Sequence, residues 1–268
     1  MAIRRRLRQR DESGFTLVEL LVASVVGIIV GGVVLSTILV AQRSTNSTTA
    51  WANLNGEARV LLNRLAGDLR QATPLTSTSA GVTTDIPAIT NVQNPQPYGT
   101  AGALTSITFD ADFSGDDCVK GVLSDKGGTP GGCTDPSVDP NNPEVETFCW
   151  DPAGQVVYLI PGGVTAGSCT SDSGLASTAM LSGHVKDVKI YAYSSRYIYD
   201  GDIVGLPADG VTDWREIDHA GSPIGNSNDK LDQPSEYALI NSVKIVVTVA
   251  DGGHTQTVQT LVSLRNVP

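Results

Sequence analysis

SGFTLVELLVA, residues 13–23, places one carboxylate, Glu19, inside an otherwise apolar run that begins shortly after five arginines. From Phe15 to Ala41 the chain runs for 27 residues with no other charge. The stretch from Leu20 onward already reaches the ~20 residues that a helix needs to cross a hydrocarbon core ~30 Å thick. Residues 15–42 are therefore predicted to form a transmembrane helical segment. A secretory signal peptide has a shorter apolar core, ~7–15 residues, closing on a small-residue cleavage site, and this run is too long for one. An acidic side chain at the centre of a membrane helix is disfavoured by roughly 2.5–3.5 kcal/mol, which makes Glu19 a candidate functional residue.

The helical pattern continues past the apolar run. Trp51, Leu54, Ala58, Leu61, Leu65, Leu69 and Ala72 recur at spacings of three and four and share one face, while Asn53, Asn55, Arg59, Asn63, Arg64 and Arg70 occupy the other. Residues 43–73 thus read as an amphipathic half of the same helix, lying on a soluble domain. The pattern stops at Thr73-Pro74, where the residue before proline is biased away from helical angles. A continuous helix over residues 15–72 spans ~87 Å at 1.5 Å per residue. Gly27, Gly31, Gly32, Gly56 and Gly67 each cost ~1 kcal/mol relative to Ala in such a helix in water. In lipid, Gly27-x-x-x-Gly31 reads either as tolerated glycine or as a seam for a neighbouring helix.

Residues 74–268 change character. Ser, Thr, Gly, Pro and Asn dominate residues 76–103, which read as a loop or loosely ordered insertion. β-Branched or alternating runs then appear at 104–109, 144–150, 155–160, 185–193, 242–250 and 257–264, the signature of strands. The turn sequences DPAG after Trp150 and DGGH at 251–254 predict two antiparallel hairpins. The linkers at 110–143 and 194–240 are long. The expected fold class is α+β, one long N-terminal helix packed on an antiparallel sheet, with residues 74–268 forming a β-rich globular domain.

Charge and cysteine placement set the topology. Residues 1–14 carry five Arg against Asp11 and Glu12, whereas residues 73–268 carry nine basic and twenty-three acidic groups. Basic residues ahead of a span stay in the cytoplasm, so the C-terminal domain is expected outside. The acidic domain would repel a phosphate backbone, which makes nucleic acid an unfavourable partner. Cys118, Cys133, Cys149 and Cys169 all lie beyond the span, on the side where disulfides persist. Their separations contain no C-x-x-C knuckle, which argues against zinc. Of three connectivities, the short closures Cys118–Cys133 and Cys149–Cys169 are the simplest to form, each contributing ~3 kcal/mol in the chain-entropy model.

A short basic leader ending in Gly14 and followed by FTLVELLVA resembles the cleavage and methylation signal of type IV pilins and of the pseudopilins of type II secretion systems. The resemblance implies a prepilin peptidase that cuts between Gly14 and Phe15, removes residues 1–14 as a leader, and methylates the new amine of Phe15. It further implies that Glu19 pairs with the N-terminal amine of a neighbouring subunit and so sets the register of assembly. Other pilins or pseudopilins and an inner-membrane assembly platform are the implied partners, and the implied location is the inner membrane followed by a pilus or pseudopilus. Residues 57–72, the VSLRN at 262–266 and the lone Trp214 in a polar loop resemble PilW-type minor pilins and J-type minor pseudopilins. An adhesin or DNA-uptake subunit, with residues 194–240 as contact surface, and a plain single-pass envelope protein are the alternatives.

Catalytic chemistry finds little support. His184, His219 and His254 are isolated in sequence, and neither a nucleophile elbow nor a metalloprotease motif nor a P-loop is present. No cofactor is implied, calcium aside. DADFSGDD, residues 110–117, starts like a calcium loop, but the position where an EF-hand requires glutamate is Gly121. An irregular calcium site on Asp110, Asp112, Asp116 or Asp117 and a solvated acidic turn are the two remaining readings.

Overall fold

The computed structural model describes residues 15–72, 74–79, 82–111, 113, 118–119, 122–123, 144–165, 167–171, 174, 176–195, 209–251 and 253–264. The chain divides into two compact units, Met1–Ala50 and Trp51–Pro268.

A single helix, α1 (Leu17–Gln71), accounts for the described part of the first unit and continues into the second. It is long and apolar enough to cross a membrane, and residues 15–46 are exposed throughout. The few hydroxyls on this apolar surface are satisfied within the helix. Ser24, Ser36 and Thr37 donate to the carbonyls of Leu21, Val33 and Val34, each at 2.8 Å. Thr45, Thr48 and Thr49 do the same one turn back at 2.9 Å. In hydrocarbon each unmet donor would cost several kcal/mol, so the internal bonds of Ser24, Ser36 and Thr37 suit residues 15–42 to a membrane span.

In the second unit α1 buries Leu54, Ala58, Leu61, Leu62, Leu65, Ala66 and Leu69. Ala72 follows, fully buried and bridged to Ala111. This is the face predicted from spacing, widened by Leu62 and Ala66, except that Trp51, expected on it, is exposed. Beyond it come β1 (Leu75–Ser79) and β2 (Val82–Ile86), an antiparallel hairpin, then β3 (Ile89–Gln93) and β4 (Thr105–Asp110). The stretch expected as a loop over 76–103 is thus about half strand, with residues 94–103 outside the strands. Its Ser- and Thr-rich runs suit extended backbone but lack the apolar alternation by which strands are recognised. A two-residue pair, β5 (Cys118–Val119) and β6 (Val122–Leu123), precedes β7 (Val145–Asp151), β8 (Val156–Pro161) and β9 (Thr178–Ser182).

Strands β3-β4-β7-β8-β9 form one antiparallel sheet. The second, four-stranded sheet contains β10 (Val185–Ser194), β11 (Thr212–Asp213), β12 (Ser242–Asp251) and β13 (His254–Ser263), in the order β11-β10-β12-β13. Both predicted hairpins are present: Asp151 faces Val156 across the first and Asp251 faces His254 across the second. The two sheets are joined where the Gln96 amide donates to the Ile190 carbonyl at 2.7 Å.

Strand periodicity divides each sheet into two faces. Ile107 and Phe109 of β4, Phe148 and Trp150 of β7, Val157 of β8 and Leu181 of β9 join the buried leucines of α1 in one core. The same core takes Val188, Ile190 and Ala192 of β10 with Val243, Ile245, Val247 and Val249 of β12. The other face of the five-stranded sheet is also buried and mixes Val145 and Ile160 with polar side chains. There the Thr108 and Thr147 hydroxyls meet at 2.8 Å, and Thr147 donates onward to the Gly162 carbonyl at 2.8 Å.

Candidate functional site at the helix N-terminus, and the buried carboxyls

The first site is local to the start of α1. Phe15 is 79% exposed. The Thr16 amide and hydroxyl both donate to Glu19 Oε2, at 3.3 and 3.2 Å, and the Glu19 amide donates to Thr16 Oγ1 at 3.2 Å. This is a reciprocal capping box, which satisfies amides that have no partner in the first turn of a helix. Glu19 therefore has a structural task besides any charge pairing, and its carboxylate sits at the helix end whose dipole favours an anion. T-x-x-E ahead of an apolar run carries that signal in the sequence, and the charge-based reading passed over it. Oε1 of Glu19 takes part in none of these bonds. Gly14 lies outside the described residues.

Of the cysteines, Cys149 and Cys169 form a disulfide with S–S 2.03 Å. The bridge fastens the segment after β8 to the face of the sheet that carries Thr108 and Thr147, where Ser171 also donates to the Pro161 carbonyl at 3.1 Å. Cys118 lies in β5 and Cys133 outside the described residues, as do Asp112, Asp116 and Asp117. Asp110, the remaining calcium candidate, is the last residue of β4, fully buried, with its amide donating to the Ala88 carbonyl at 2.9 Å.

A second polar cluster occupies the segment between β11 and β12, within the linker expected at 194–240. It holds two short helices, α2 (Trp214–Asp218) and α3 (Pro234–Tyr237). Asp213 and Glu216 form a capping box for α2, with Asp213 Oδ1 accepting from the amides of Arg215 (2.9 Å) and Glu216 (3.2 Å). Burial pushes the Asp213 carboxyl up, against those two amide bonds, which pull it down. Trp214, expected in a polar loop, is 4% exposed and belongs to the core. Its ring meets Tyr98 edge-on, and the Arg215 guanidinium stacks 4.7 Å above Tyr98.

His219, isolated in sequence, is not isolated in space. Its Nε2 donates to Asp229 Oδ1 at 3.0 Å and lies 3.6 Å from Asp218 Oδ2. Arg215 Nε reaches the same Asp229 oxygen at 2.9 Å. The hydrogen bond from His219 first, and that from Arg215 second, hold the Asp229 carboxyl below its ordinary value. Asp218, His219 and Asp229 present ligand-type atoms within 4.8 Å of one another. The oxygens of Asp218 already accept two backbone amides and Asp229 Oδ1 accepts two side chains, so the group is a hydrogen-bonded clamp that links α2 to the following loop. Gly225 permits this closeness, because a Cβ there would run into the Asp218 carbonyl.

A third carboxyl stands on the core face of β7, where Glu146 is 8% exposed among Phe148, Trp150 and the opposing Phe109. Its Oε2 is buried without a donor, as is Oδ2 of Asp68 on α1. Burial chiefly, and the Asp68 charge next, raise Glu146 to about 7, with Arg64 opposing. EVETFCW was legible as a strand, but nothing in it marked Glu146 as core.

Residues 9–35 match the prokaryotic N-terminal methylation motif. The match covers the end of the basic leader and the first part of α1, and stops before the amphipathic half and the sheets. No curated protein and no solved structure matches the chain.

Proposed function

We propose that this protein is a minor pilin. On this reading it is made with a cytoplasmic leader, cut by prepilin peptidase between Gly14 and Phe15, methylated on Phe15, held in the inner membrane by the first half of α1, and then drawn into a type IV pilus or the complex that starts one. The observation that carries this reading is the methylation motif over residues 9–35, seated on a helix with an apolar, exposed first half and a second half that builds the core of an antiparallel β-domain. A J-type subunit of a secretion pseudopilus shares every one of these features, and neighbouring genes distinguish the two.

The chemistry proposed for Glu19 follows from the cut. Cleavage leaves an α-amino group on Phe15, largely cationic at neutral pH with a reference pKa of ~7.7–8.0. With Oε2 engaged by Thr16, Oε1 remains for the amine of an adjacent subunit. Packed among apolar helices, a bare carboxylate there would be costly, so docking is favoured only where the amine lies opposite.

Two measurements test the reading. Mass spectrometry of the membrane-extracted protein is expected to give Phe15 as the mature N-terminus, and any other terminus in cells with an active peptidase overturns the assignment. Co-purification with partner pilins at matched abundance is expected to fail for both Glu19→Ala and Glu19→Gln. The second variant keeps the capping geometry, since Gln also closes such a box, and removes only the charge. Recovery of partners by Glu19→Gln would reduce Glu19 to a capping residue.

A further inference from the structure

We propose that the free edge of β13 is a docking strand: it takes an uncharged, extended segment of a different membrane-anchored subunit and so lengthens the four-stranded sheet. Among the described residues β13 pairs on one side only, with β12. It runs for ten residues, His254–Ser263, and its register against β12 has no shift. Residues 255–263 contain no charge and no proline. The other edges of the two large sheets are built differently. β11 has two residues and leads straight into α2. β3 and β9 have five residues each, and a register shift interrupts the pairing of each with its neighbour. Short strands, bulges, lysines and prolines keep sheet edges from pairing with other chains. β13 has none of these, so its outward amides and carbonyls form a template for one more strand.

The side chains define the segment that fits. Thr255, Thr257, Gln259, Leu261 and Ser263 make the exposed row of β13, on the face turned away from the core, and Leu261 is 59% exposed. Leu261 and Ser263 also line an open hollow of about 580 Å³, together with Tyr193, Lys244 and Val211. Lys244 lies directly opposite Leu261 on β12, and Val211 is itself exposed. Main-chain bonds along an edge supply attachment, and a pocket beside the edge supplies selectivity. The fitting segment therefore carries a large apolar side chain beside Leu261, able to enter the hollow, with small or β-branched neutral residues to either side.

Charge and tethering choose the partner. Residues 73–268 hold twenty-three acidic against nine basic groups, so two copies of this domain repel each other, whereas a neutral or basic domain is not held off. One added strand is a small interface, and it holds only where the two chains are already concentrated together. A shared membrane anchor provides that concentration, and in this respect the proposal rests on the function proposed above.

Photo-cross-linking from the full chain in cell membranes reads the edge directly. A photoreactive amino acid is placed in turn at Thr255, Thr257 and Gln259, and the captured residues are mapped by mass spectrometry. The three probes are expected to capture residues two positions apart along one segment of another membrane-anchored subunit, which is the period of strand pairing. A probe at Ala179, exposed on the edge strand β9, is expected to miss that segment. Leu261→Lys and Leu261→Glu are both expected to abolish the adducts and to leave the thermal melt in detergent unchanged. Because the two variants differ in sign, loss in both reports the apolar contact and not charge attraction. Captures spaced by three and four, capture of a second copy of this chain or of a protein without a membrane anchor, and capture of the same segment from Ala179 each overturn the proposal. Absence of adducts, or adducts that persist in both Leu261 variants, overturns it as well. The mature N-terminus, read in the same samples, tests the cleavage between Gly14 and Phe15 independently of where the probes react.

Discussion

Glu146 stands on the core face of β7, 8% exposed, with Oε2 buried and without a hydrogen-bond partner. A carboxyl among Phe109, Phe148 and Trp150, with Asp68 nearby, is held in its neutral form until about pH 7. Its protonated state contributes stability that is complete below the unfolded value of ~4.3 and is lost as pH rises through 7. The shift corresponds to about 3 kcal/mol at full ionisation. Glu146→Gln is therefore expected to match the wild type at pH ~4 and to exceed it by about 3 kcal/mol at pH ~9, read from denaturant unfolding at each pH. A difference between the two proteins that stays constant across that range would remove Glu146 from the interface energetics. Strand periodicity alone could not reveal this residue, because the alternation that placed it on the core face is written for apolar side chains and Glu146 interrupts it.

At the scale of elements, α1 carries a weakness that the tertiary structure does not require. Gly56 and Gly67 lie inside the helix, and a Cβ at either would meet nothing within 4 Å. Glycine in a helix interior costs ~1 kcal/mol relative to alanine through the backbone entropy it gives up. Gly56→Ala and Gly67→Ala are each expected to raise unfolding free energy by ~1 kcal/mol in the subunit by itself, measured by thermal melting in detergent. If assembly efficiency falls in the same variants, the glycines are kept for a neighbouring subunit and not for the fold. The strands show the complementary lesson. Runs with β-branched alternation, such as residues 242–250, were legible at once, as was the turn that follows. β1 and β2 were not, since Ser and Thr suit both strand and loop, and only pairing with a neighbour decides between them.

The molecule as a whole depends on the amphipathic half of α1 being part of the domain. Leu54, Leu61, Leu62, Leu65 and Leu69 are all buried, together with Ala58, Ala66 and Ala72. Burying five leucines contributes roughly 7–15 kcal/mol, comparable to the entire ~5–15 kcal/mol by which a domain is stable. A fragment beginning at Trp51 is therefore expected to be soluble and to melt cooperatively, whereas one beginning at Pro74 is expected to bind hydrophobic dyes and aggregate. Circular dichroism melts and dye fluorescence on the two fragments decide this, and cooperative unfolding of the shorter one would show that the sheets suffice without the helix. Binding tests for surface or nucleic-acid ligands belong on the longer fragment for the same reason.

The amino-acid sequence by itself determined the apolar segment, the continuation of its helix to the proline at 74, the strands with clear alternation and the two tight hairpins. Each of these is set by interactions between residues a few positions apart, where spacing is enough to place side chains on one face. Only the tertiary structure decided that Glu146 is buried in the core, that His219 reaches Asp229 and that Trp214 is core. Burial and charge pairing depend on distances between segments far apart in the chain, and no local pattern encodes which carboxylates the closed fold will bring together.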